Sequence, residues 1–368
     1  MYEEVGSTVS VFDRAYDDPV RVLDEGGEVV GDVPDLDDEA LVEMYRDMRL
    51  ARHFDGRAVS LQRQGRMGTY PPLSGQEGAQ IGSATALDED DWMVPSYREH
   101  GAALVRGLPL KQTLLYWMGH EAGNATPEGV NVFPVAVPIA SQVPHATGAA
   151  WASKLRGEND AFLCYFGDGA TSEGDVYEAL NFAGVYDAQT VFVCQNNRYA
   201  ISTRLADQTA AETLAQKAIA AGIEGIRVDG NDVLGVYRVA KEAIEKARDG
   251  EPVLIEALTY RRSMHTTSDD PSVYRESEEE DEWAARDPIV RFQVYLRNRG
   301  ILDDETVAEI DERIETELAA EIEKAREGEA DVDPADMFRH VYEEMPASLE
   351  RQMATFESAG LPGGETDG

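Results

Sequence analysis

The sequence predicts an α/β protein with a doubly wound, mostly parallel sheet and helices on both faces. Between residues 161 and 258, short apolar runs alternate with segments in which apolar residues recur at helical spacing. Strands and helices that alternate in this way form parallel sheets covered on both sides. The chain has 368 residues, of which 42% are hydrophobic, and this is enough for one large core or two modest ones.

The individual elements follow from the same spacing. A first helix is expected to begin at Asp37 and Asp38 and to run to about Arg63, a second from Ser74 to Leu87, and a third from Ala102 after a short strand or loop. Strands are then expected at 161–166, 191–195, 225–228 and 252–258, and the intervening helices at 173–185, 210–221 and 233–247. Two further helices are expected near 305–326 and 335–344.

These elements divide the chain into three parts. Residues 1–35 are acidic and without clear periodicity, which predicts an extended N-terminal arm. Residues 36–345 form the predicted α/β domain. Residues 346–368 form a C-terminal tail, of which the last part is polar and rich in glycine.

Charge excludes several classes of function. The formal net charge is −38, so the phosphates of nucleic acid and an anionic membrane surface would both repel the chain. We interpret the acidic surface as adaptation to a salt-rich cytoplasm, because salt screens self-repulsion. The amino terminus has neither a basic start nor an apolar stretch, which predicts a cytoplasmic protein.

Cys164 and Cys194 lie in apolar runs and are expected to be buried, reduced thiols.

Two polar motifs follow neighbouring predicted strands. The first, Gly167 to Asp175, reads Gly-Asp-Gly-Ala-Thr-Ser-Glu-Gly-Asp and stands between a strand and a helix, where glycines let the backbone approach a phosphate. The second contains Asn196 and Asn197, at the end of the next strand. Asp168 and an asparagine amide can supply oxygen ligands to a magnesium ion that also binds two phosphates. Both motifs together are typical of thiamine-diphosphate enzymes, whereas Gly-Asp-Gly alone is a common turn.

The chain resembles the α subunit of the decarboxylating component of 2-oxo acid dehydrogenase complexes, over about residues 40 to 345. The resemblance depends on several separate motifs in the same order, which are residues 63–66, 75–78, 97–101, 142–146, 167–175, 195–202, 260–261 and 265–271. It implies the thiamine-diphosphate-binding fold, in the module that holds the diphosphate.

The resemblance also implies residue roles. Magnesium would be bound by Asp168, Asn197 and the carbonyl of Tyr199. Thiamine diphosphate would be bound by Tyr97, Arg98, Ile139, Gly167, Asp168, Gly169, Ala170, Asn197, Arg261 and His265. Within this set, Tyr97 and Arg98 would hold the diphosphate and Ile139 would support the bent cofactor. His265 would be the catalytic residue, supported by Arg261.

The implied function is oxidative decarboxylation of pyruvate or branched-chain 2-oxo acids, with transfer of the acyl group to the lipoyl-lysine of an acyltransferase core. The implied partner is a β subunit in an α2β2 heterotetramer, without which the chain is inactive. Residues 66–71 are closer to pyruvate-type members. An acetoin dehydrogenase α subunit and a non-catalytic cofactor-binding scaffold stay open as alternatives. A plain nucleotide-binding protein is disfavoured, because Asn196 and Asn197 stand where such proteins need an acidic residue.

Overall fold

Five parallel strands form the central sheet in the computed structural model, which describes residues 11–13, 18–329, 335–339 and 341–358. The sheet order is β1-β2-β3-β7-β6, and β4 and β5 form a separate antiparallel pair. The strand bounds are β1 (Trp92–Val94), β2 (Phe162–Gly167), β3 (Thr190–Asn196), β4 (Tyr199–Ala200), β5 (Thr203–Arg204), β6 (Glu224–Asp229) and β7 (Val253–Leu258). The strands predicted between residues 161 and 258 are therefore confirmed, each to within a few residues.

Helices surround this sheet. Their bounds are α1 (Asp38–Arg63), α2 (Glu77–Thr85), α3 (His100–Val105), α4 (Leu110–Met118), α5 (Gln142–Arg156), α6 (Gly174–Tyr186), α7 (Leu205–Gln208), α8 (Lys217–Ala221), α9 (Val233–Arg248), α10 (Ser277–Ala284), α11 (Pro288–Asn298), α12 (Asp304–Glu329), α13 (Asp336–Arg339) and α14 (Ala347–Ser358). In the described part of the chain, no helix is long and apolar enough to cross a membrane.

Successive side chains of the strands point to opposite faces of the sheet, and helices cover both faces. In β2, Leu163 and Tyr165 pack with α2, α3 and α9 on one face. Phe162, Cys164 and Phe166 pack with α5, α6 and α8 on the other. This alternation confirms the doubly wound fold, because a strand covered on both sides needs apolar residues at successive positions. Cys164 and Cys194 are both buried and free, as predicted.

A further helical layer covers the face formed by α2 and α9. Phe54 of α1, Leu114 of α4, Phe292 of α11 and Ile314 of α12 lie in one buried cluster, which also includes Ile81 of α2. This layer fixes α1 against the body of the fold, and α1 contributes buried polar groups that are described below.

The two ends of the chain are partly described. Residues 1–10 and 14–17 of the predicted N-terminal arm lie outside the described residues. Val20 forms a parallel bridge with Val228 of β6, and the backbone amides of Val22 and Leu23 donate to Asp232 at 2.6 and 2.9 Å. Residues 18–35 thus contact the domain. The predicted C-terminal tail includes the helix α14, and residues 359–368 lie outside the described part.

The helix predicted over 210–221 is wrong except at its end, where α8 spans Lys217–Ala221. The reason is Glu256, which is buried in β7. Its Oε2 accepts from the backbone amides of Leu214 and Ala215 at 2.9 and 3.0 Å. Because these amides are bound to a strand side chain, they do not donate to helical carbonyls, and the segment before α8 stays irregular.

We expect Glu256→Gln to lower the free energy of unfolding by about 1–3 kcal/mol, because one acceptor oxygen becomes a donor that faces other donors. Oε1 of Glu256 accepts from Asn196 at 2.7 Å, and Oε2 forms an ion pair with Arg227 at 3.3 Å. Chemical denaturation followed by circular dichroism measures the change. The matched control is Glu251→Gln, an exposed partner of Lys246, which should change stability by less than about 0.5 kcal/mol. Equal stability of the two variants would contradict this account.

Candidate active site

A cavity of about 250 Å³ lies where the carboxyl ends of β2 and β3 meet the segment after β7. This is the edge of a parallel sheet at which α/β proteins bind ligands. The residues of the predicted site all line it, namely Tyr97, Arg98, Ile139, Gly167, Asp168, Gly169, Ala170, Asn197, Tyr199, Arg261 and His265. The structure therefore brings together residues that span more than 160 positions of sequence.

Asp168 is the first residue of a 3-10 helix, Asp168–Ser172, that directly follows β2. Its side chain is buried, and burial raises the pKa of the carboxyl group. Oδ2 accepts from the Gln208 side chain at 2.8 Å, whereas Oδ1 has no hydrogen-bond partner among the described residues. A buried carboxylate oxygen without a partner is costly, so this oxygen is well suited to bind a cation.

Asn197 and Tyr199 follow β3, the strand that pairs with β2, and line the same cavity as Asp168. Arg198 between them adopts a left-handed conformation with φ 77°, which turns the chain sharply after β3. The Asn197 side chain accepts from the Tyr199 amide at 3.3 Å through Oδ1 and donates to Gln76 at 3.1 Å through Nδ2. The amide side chain is thus oriented from both ends.

The absence of a side chain has a different structural effect at each of the two glycines of the Gly-Asp-Gly motif. A Cβ on Gly169 would lie 2.7 Å from Cβ of Ala200, so the close approach of β4 excludes a side chain. A Cβ on Gly167 would meet no atom within 4 Å. The missing side chain of Gly167, a residue that lines the cavity, therefore leaves space that a ligand can fill.

A cluster of cationic side chains forms another wall of the cavity. Arg98 Nη2 and Arg261 Nη1 lie 3.0 and 3.2 Å from Nδ1 of His265. Because a guanidinium group can only donate, Nδ1 must accept, and the ring proton of neutral His265 is on Nε2. Burial and the two arginines lower the pKa of His265 to about 3, so the ring is uncharged near neutral pH.

The acceptors that surround the two arginines are neutral. Arg98 donates to the carbonyls of Pro72 at 2.6 Å and His265 at 3.1 Å. Arg261 donates to the carbonyl of Ile201 at 2.7 Å and to the hydroxyl of Tyr274 at 3.0 Å. Burial, followed by repulsion from Arg98 and Arg275, lowers the pKa of Arg261 to about 10. Neither cation forms an ion pair with a carboxylate in the described part of the chain, so this wall attracts an anion.

Several residues of the site were not predicted from the sequence. Gln208 fixes one oxygen of Asp168, and Gln76 fixes the amide of Asn197. Glu99 accepts from the backbone amide of Ser96 at 2.8 Å and from Gln195 at 2.7 Å. Except for the contact with Ser96, these hydrogen bonds join segments that are distant in sequence. Of the three, Glu99 and Gln76 stand inside recognised motifs, which is the only sequence signal for them.

The donor set fits a magnesium ion that also binds a diphosphate. Within the described residues, no group of three His, Cys, Asp or Glu side chains could hold a metal alone. The site offers one carboxylate, one amide and one backbone carbonyl, which are hard oxygen ligands but too few for six-coordinate magnesium. Phosphate oxygens would complete the shell, and the arginine wall would neutralise their charge.

We expect Gly169→Ala to change stability and Gly167→Ala to change cofactor binding. Gly169→Ala forces a contact with Ala200 and should lower the free energy of unfolding by about 1–3 kcal/mol. Gly167→Ala should leave stability unchanged but weaken binding of thiamine diphosphate about tenfold, because its methyl group enters the cavity. Thermal unfolding without cofactor and cofactor titration measure the two effects. If Gly167→Ala binds the cofactor as the wild type does, the cavity is not the cofactor site.

We expect His265 to make stability depend on pH below neutrality. Its folded pKa of about 3 lies below the unfolded value of 6.5, so the unfolded chain binds a proton that the folded chain does not. The contribution of the neutral ring is fully present above pH of about 7 and is lost as the pH falls through 6.5 toward 3. His265→Gln should therefore gain stability relative to the wild type between pH 7 and 5.

Thermal unfolding at several pH values measures this difference. The control is His145→Gln, since His145 is an exposed histidine on α5 that does not contact the two arginines. Parallel pH profiles of wild type and His265→Gln would contradict a neutral, buried ring.

Comparison with known proteins identifies the family of the chain. The Dehydrogenase E1 component family model matches residues 45–332. The protein of Staphylococcus aureus strain Mu50 named pyruvate dehydrogenase E1 component subunit alpha is 46% identical over 342 residues, which are 92% of each chain. A protein of the same name from Staphylococcus epidermidis is also 46% identical over 342 residues. The resemblance predicted from the motifs is confirmed, and this chain belongs to the dehydrogenase E1 component family.

Proposed function

We propose that this chain is the α subunit of a thiamine-diphosphate-dependent 2-oxo acid dehydrogenase that acts on pyruvate. The enzyme would decarboxylate the 2-oxo acid and pass the acyl group to the lipoyl-lysine of an acyltransferase core. Membership of the dehydrogenase E1 component family and identity over 92% of the chain to proteins named as pyruvate dehydrogenase α subunits support this function.

The observation that carries the proposal is that one cavity contains both cationic groups that can bind an anion and a carboxylate oxygen that can bind a cation. Within residues 18–329, Oδ1 of Asp168 is buried without a hydrogen-bond partner, and buried Arg98 and Arg261 form no ion pair with a carboxylate. A magnesium diphosphate carries both complementary charges, with the metal for the carboxylate and the phosphate oxygens for the guanidinium groups.

Asp168, Asn197 and the carbonyl of Tyr199 would hold the magnesium ion. In the structure, this carbonyl accepts a long hydrogen bond of 3.4 Å from Arg261, and a carbonyl oxygen has a second lone pair that can bind a metal. Gly167, Gly169 and Ala170 would form the floor beneath the diphosphate. Two observations support this role, namely the open space beside Gly167 and the close packing of Gly169 against Ala200.

Arg98 would bind the diphosphate from the opposite wall, beside Tyr97. The guanidinium of Arg98 lies 5.4 Å from the centre of the Tyr97 ring, which restricts its orientation. Arg261 would act through His265 by fixing the ring through Nδ1. These contacts prepare donor groups before a ligand arrives, which lowers the cost of binding.

When bound, thiamine diphosphate supplies the carbanion and the electron sink for decarboxylation. His265 would donate its Nε2 proton to the reacting centre or stabilise negative charge that develops there. Its Nδ1 is not available for this, since it accepts from the two arginines. Ile139 lines the cavity with 45% of its surface exposed, which leaves its side chain available to support the bent cofactor.

A β subunit in an α2β2 heterotetramer would complete this cavity. Ile139 and Ile201 line the cavity but expose 45% and 57% of their surface, which supports a covering partner. Glu99 is already bound to the backbone amides of Ser96 and Arg98 and to Gln195, so it is not available to activate the cofactor. We therefore propose that the activating carboxylate comes from the β subunit.

We further propose that the natural substrate is pyruvate. Residues 66–71 favour pyruvate, and the relatives that share 46% identity carry pyruvate dehydrogenase names. Branched-chain 2-oxo acids and acetoin are the competing substrates, and a pocket discriminates one methylene by only about 1–3 kcal/mol. A non-catalytic scaffold is a weaker candidate, because Asp168, Asn197, Arg98 and His265 are all present in one cavity. A cytoplasmic location and adaptation to high salt stay predictions from charge and sequence.

We expect the chain, copurified with its β subunit, to decarboxylate pyruvate in the presence of thiamine diphosphate and magnesium. Asp168→Ala should lower turnover by about a hundredfold or more, because loss of one metal ligand removes several kcal/mol of charge stabilisation. Reduction of an artificial electron acceptor, measured in concentrated KCl to screen the acidic surface, reports turnover.

The control is Asp175→Ala, an exposed carboxylate in the first turn of α6, which should keep turnover within about twofold. Faster turnover of branched-chain acids or acetoin than of pyruvate would correct the substrate. No turnover on any of them, with cofactor bound, would favour the scaffold.

A further inference from the structure

Asp55 is a buried carboxylate of α1 that does not line the cavity. Its Oδ1 accepts from the Tyr70 hydroxyl at 2.6 Å and from the Leu73 amide at 3.1 Å. Its Oδ2 accepts from the Ser74 amide at 2.7 Å. These donors are neutral, and burial, as the largest cause, raises the pKa of the carboxyl to about 7. Among the described residues Asp55 accepts hydrogen bonds from neutral donors alone, and a buried acid in such surroundings costs stability, so the contacts that it makes point to another role.

The donors of Asp55 all belong to one segment, residues 70–75, which we call the 70–75 turn. Glu77 binds the same turn, since its Oε2 accepts from the Gly75 amide at 2.9 Å. Gly75 has φ +97°, and a Cβ there would lie 2.2 Å from the carbonyl oxygen of Tyr260. The turn is therefore fixed from α1 and α2 on one side and lies directly against the chain after β7 on the other.

The 70–75 turn holds the side chain of Arg98. The carbonyl of Pro72 accepts from Nη1 of Arg98 at 2.6 Å. The same guanidinium group donates to His265 through Nη2. The position of the Pro72 carbonyl thus orients the guanidinium that stands between the turn and the histidine.

The turn also holds the backbone on both sides of His265. We call residues 261–269 the histidine loop. The amide of Arg262 donates to the Ser74 carbonyl at 2.9 Å, and the amide of Thr267 donates to the Tyr70 carbonyl at 3.0 Å. Since these contacts bracket His265 in sequence, the turn fixes both ends of the segment that carries the ring.

We propose that Asp55 is a positioning residue for catalysis, which sets Arg98 and the histidine loop through the 70–75 turn. The inference rests on the proposed function for its effect on turnover, but its structural part stands on these contacts alone. A carboxylate suits this role because its two oxygens can accept all three hydrogen bonds, whereas an asparagine amide would present two hydrogens to one of the donors.

The test compares Asp55→Asn with wild type in the purified complex of this chain and its β subunit. Hydrogen–deuterium exchange, measured without thiamine diphosphate, should increase about tenfold or more in peptides that cover residues 70–75 and 262–267. With pyruvate, kcat should fall about tenfold or more at a temperature well below the unfolding midpoint, and the half-saturating concentration of thiamine diphosphate should rise.

The matched control is Asp47→Asn. Asp47 lies on the same helix with 16% of its side chain exposed, and it pairs with Arg46 at 3.0 Å rather than with the 70–75 turn. This variant should leave exchange in both peptides and kcat within about twofold of wild type. A carboxylate that only stabilises α1 would lower the unfolding midpoint without changing kcat.

Tyr70→Phe provides a second variant if Asp55→Asn does not fold. It removes one of the three donors and retains the ring that stacks on His100 at 5.1 Å. It should raise exchange in the same two peptides and lower kcat by a smaller factor. The result is taken from whichever of the two variants folds. If that variant shows wild-type exchange in the histidine loop, or shows raised exchange but wild-type kcat, the positioning role is overturned.

Failure of the proposed function would be distinguishable from failure of this inference. If the wild-type complex turns over no 2-oxo acid and binds no thiamine diphosphate, the proposed function is wrong. The exchange comparison would then still decide whether Asp55 fixes the histidine loop, and unchanged exchange would show that it does not.

Discussion

The parallel pairing of β2 with β3 is the constraint on which the site depends. Their register sets Gly167 opposite Gln195, so the two strands end at the same level of the sheet. Asp168 follows one strand and Asn197 follows the other, and the carboxylate and the amide reach one cavity for that reason. The buried, alternating side chains of both strands fix this register, because a slip of one residue would reverse their faces.

Charge within the cavity contrasts with charge on the chain as a whole. The chain carries a formal net charge of −38, yet Arg98 and Arg261 of the cavity wall donate to neutral acceptors and to no carboxylate among the residues that the structure describes. Such a wall keeps His265 uncharged and attracts an anion, and the free oxygen of Asp168 attracts a cation. The cavity therefore places a cationic wall opposite an oxygen that can bind a cation, which is the arrangement that the proposed magnesium diphosphate requires.

Local patterns in the sequence predicted the strands, most helices and the positions of Asp168 and Asn197 at strand ends, because apolar spacing and turns are encoded locally. The other residues that line the cavity were predicted from the resemblance to a known family. The helix over 210–221 was wrong because Glu256, a residue of β7, binds two of its amides. The roles of Gln208 and Asp55 depend in the same way on contacts between distant segments. Spacing in the sequence carries no signal for such contacts, so only the structure reveals them.

The central claim is that the cavity at the ends of β2 and β3 holds the metal and the diphosphate. A crystal structure of the complex with its β subunit, thiamine diphosphate and manganese in place of magnesium tests it most directly, since anomalous scattering locates manganese. The account predicts a peak about 2 Å from Asp168 Oδ1, the Asn197 side-chain oxygen and the Tyr199 carbonyl. A peak elsewhere, or a diphosphate that does not contact Arg98, would contradict it.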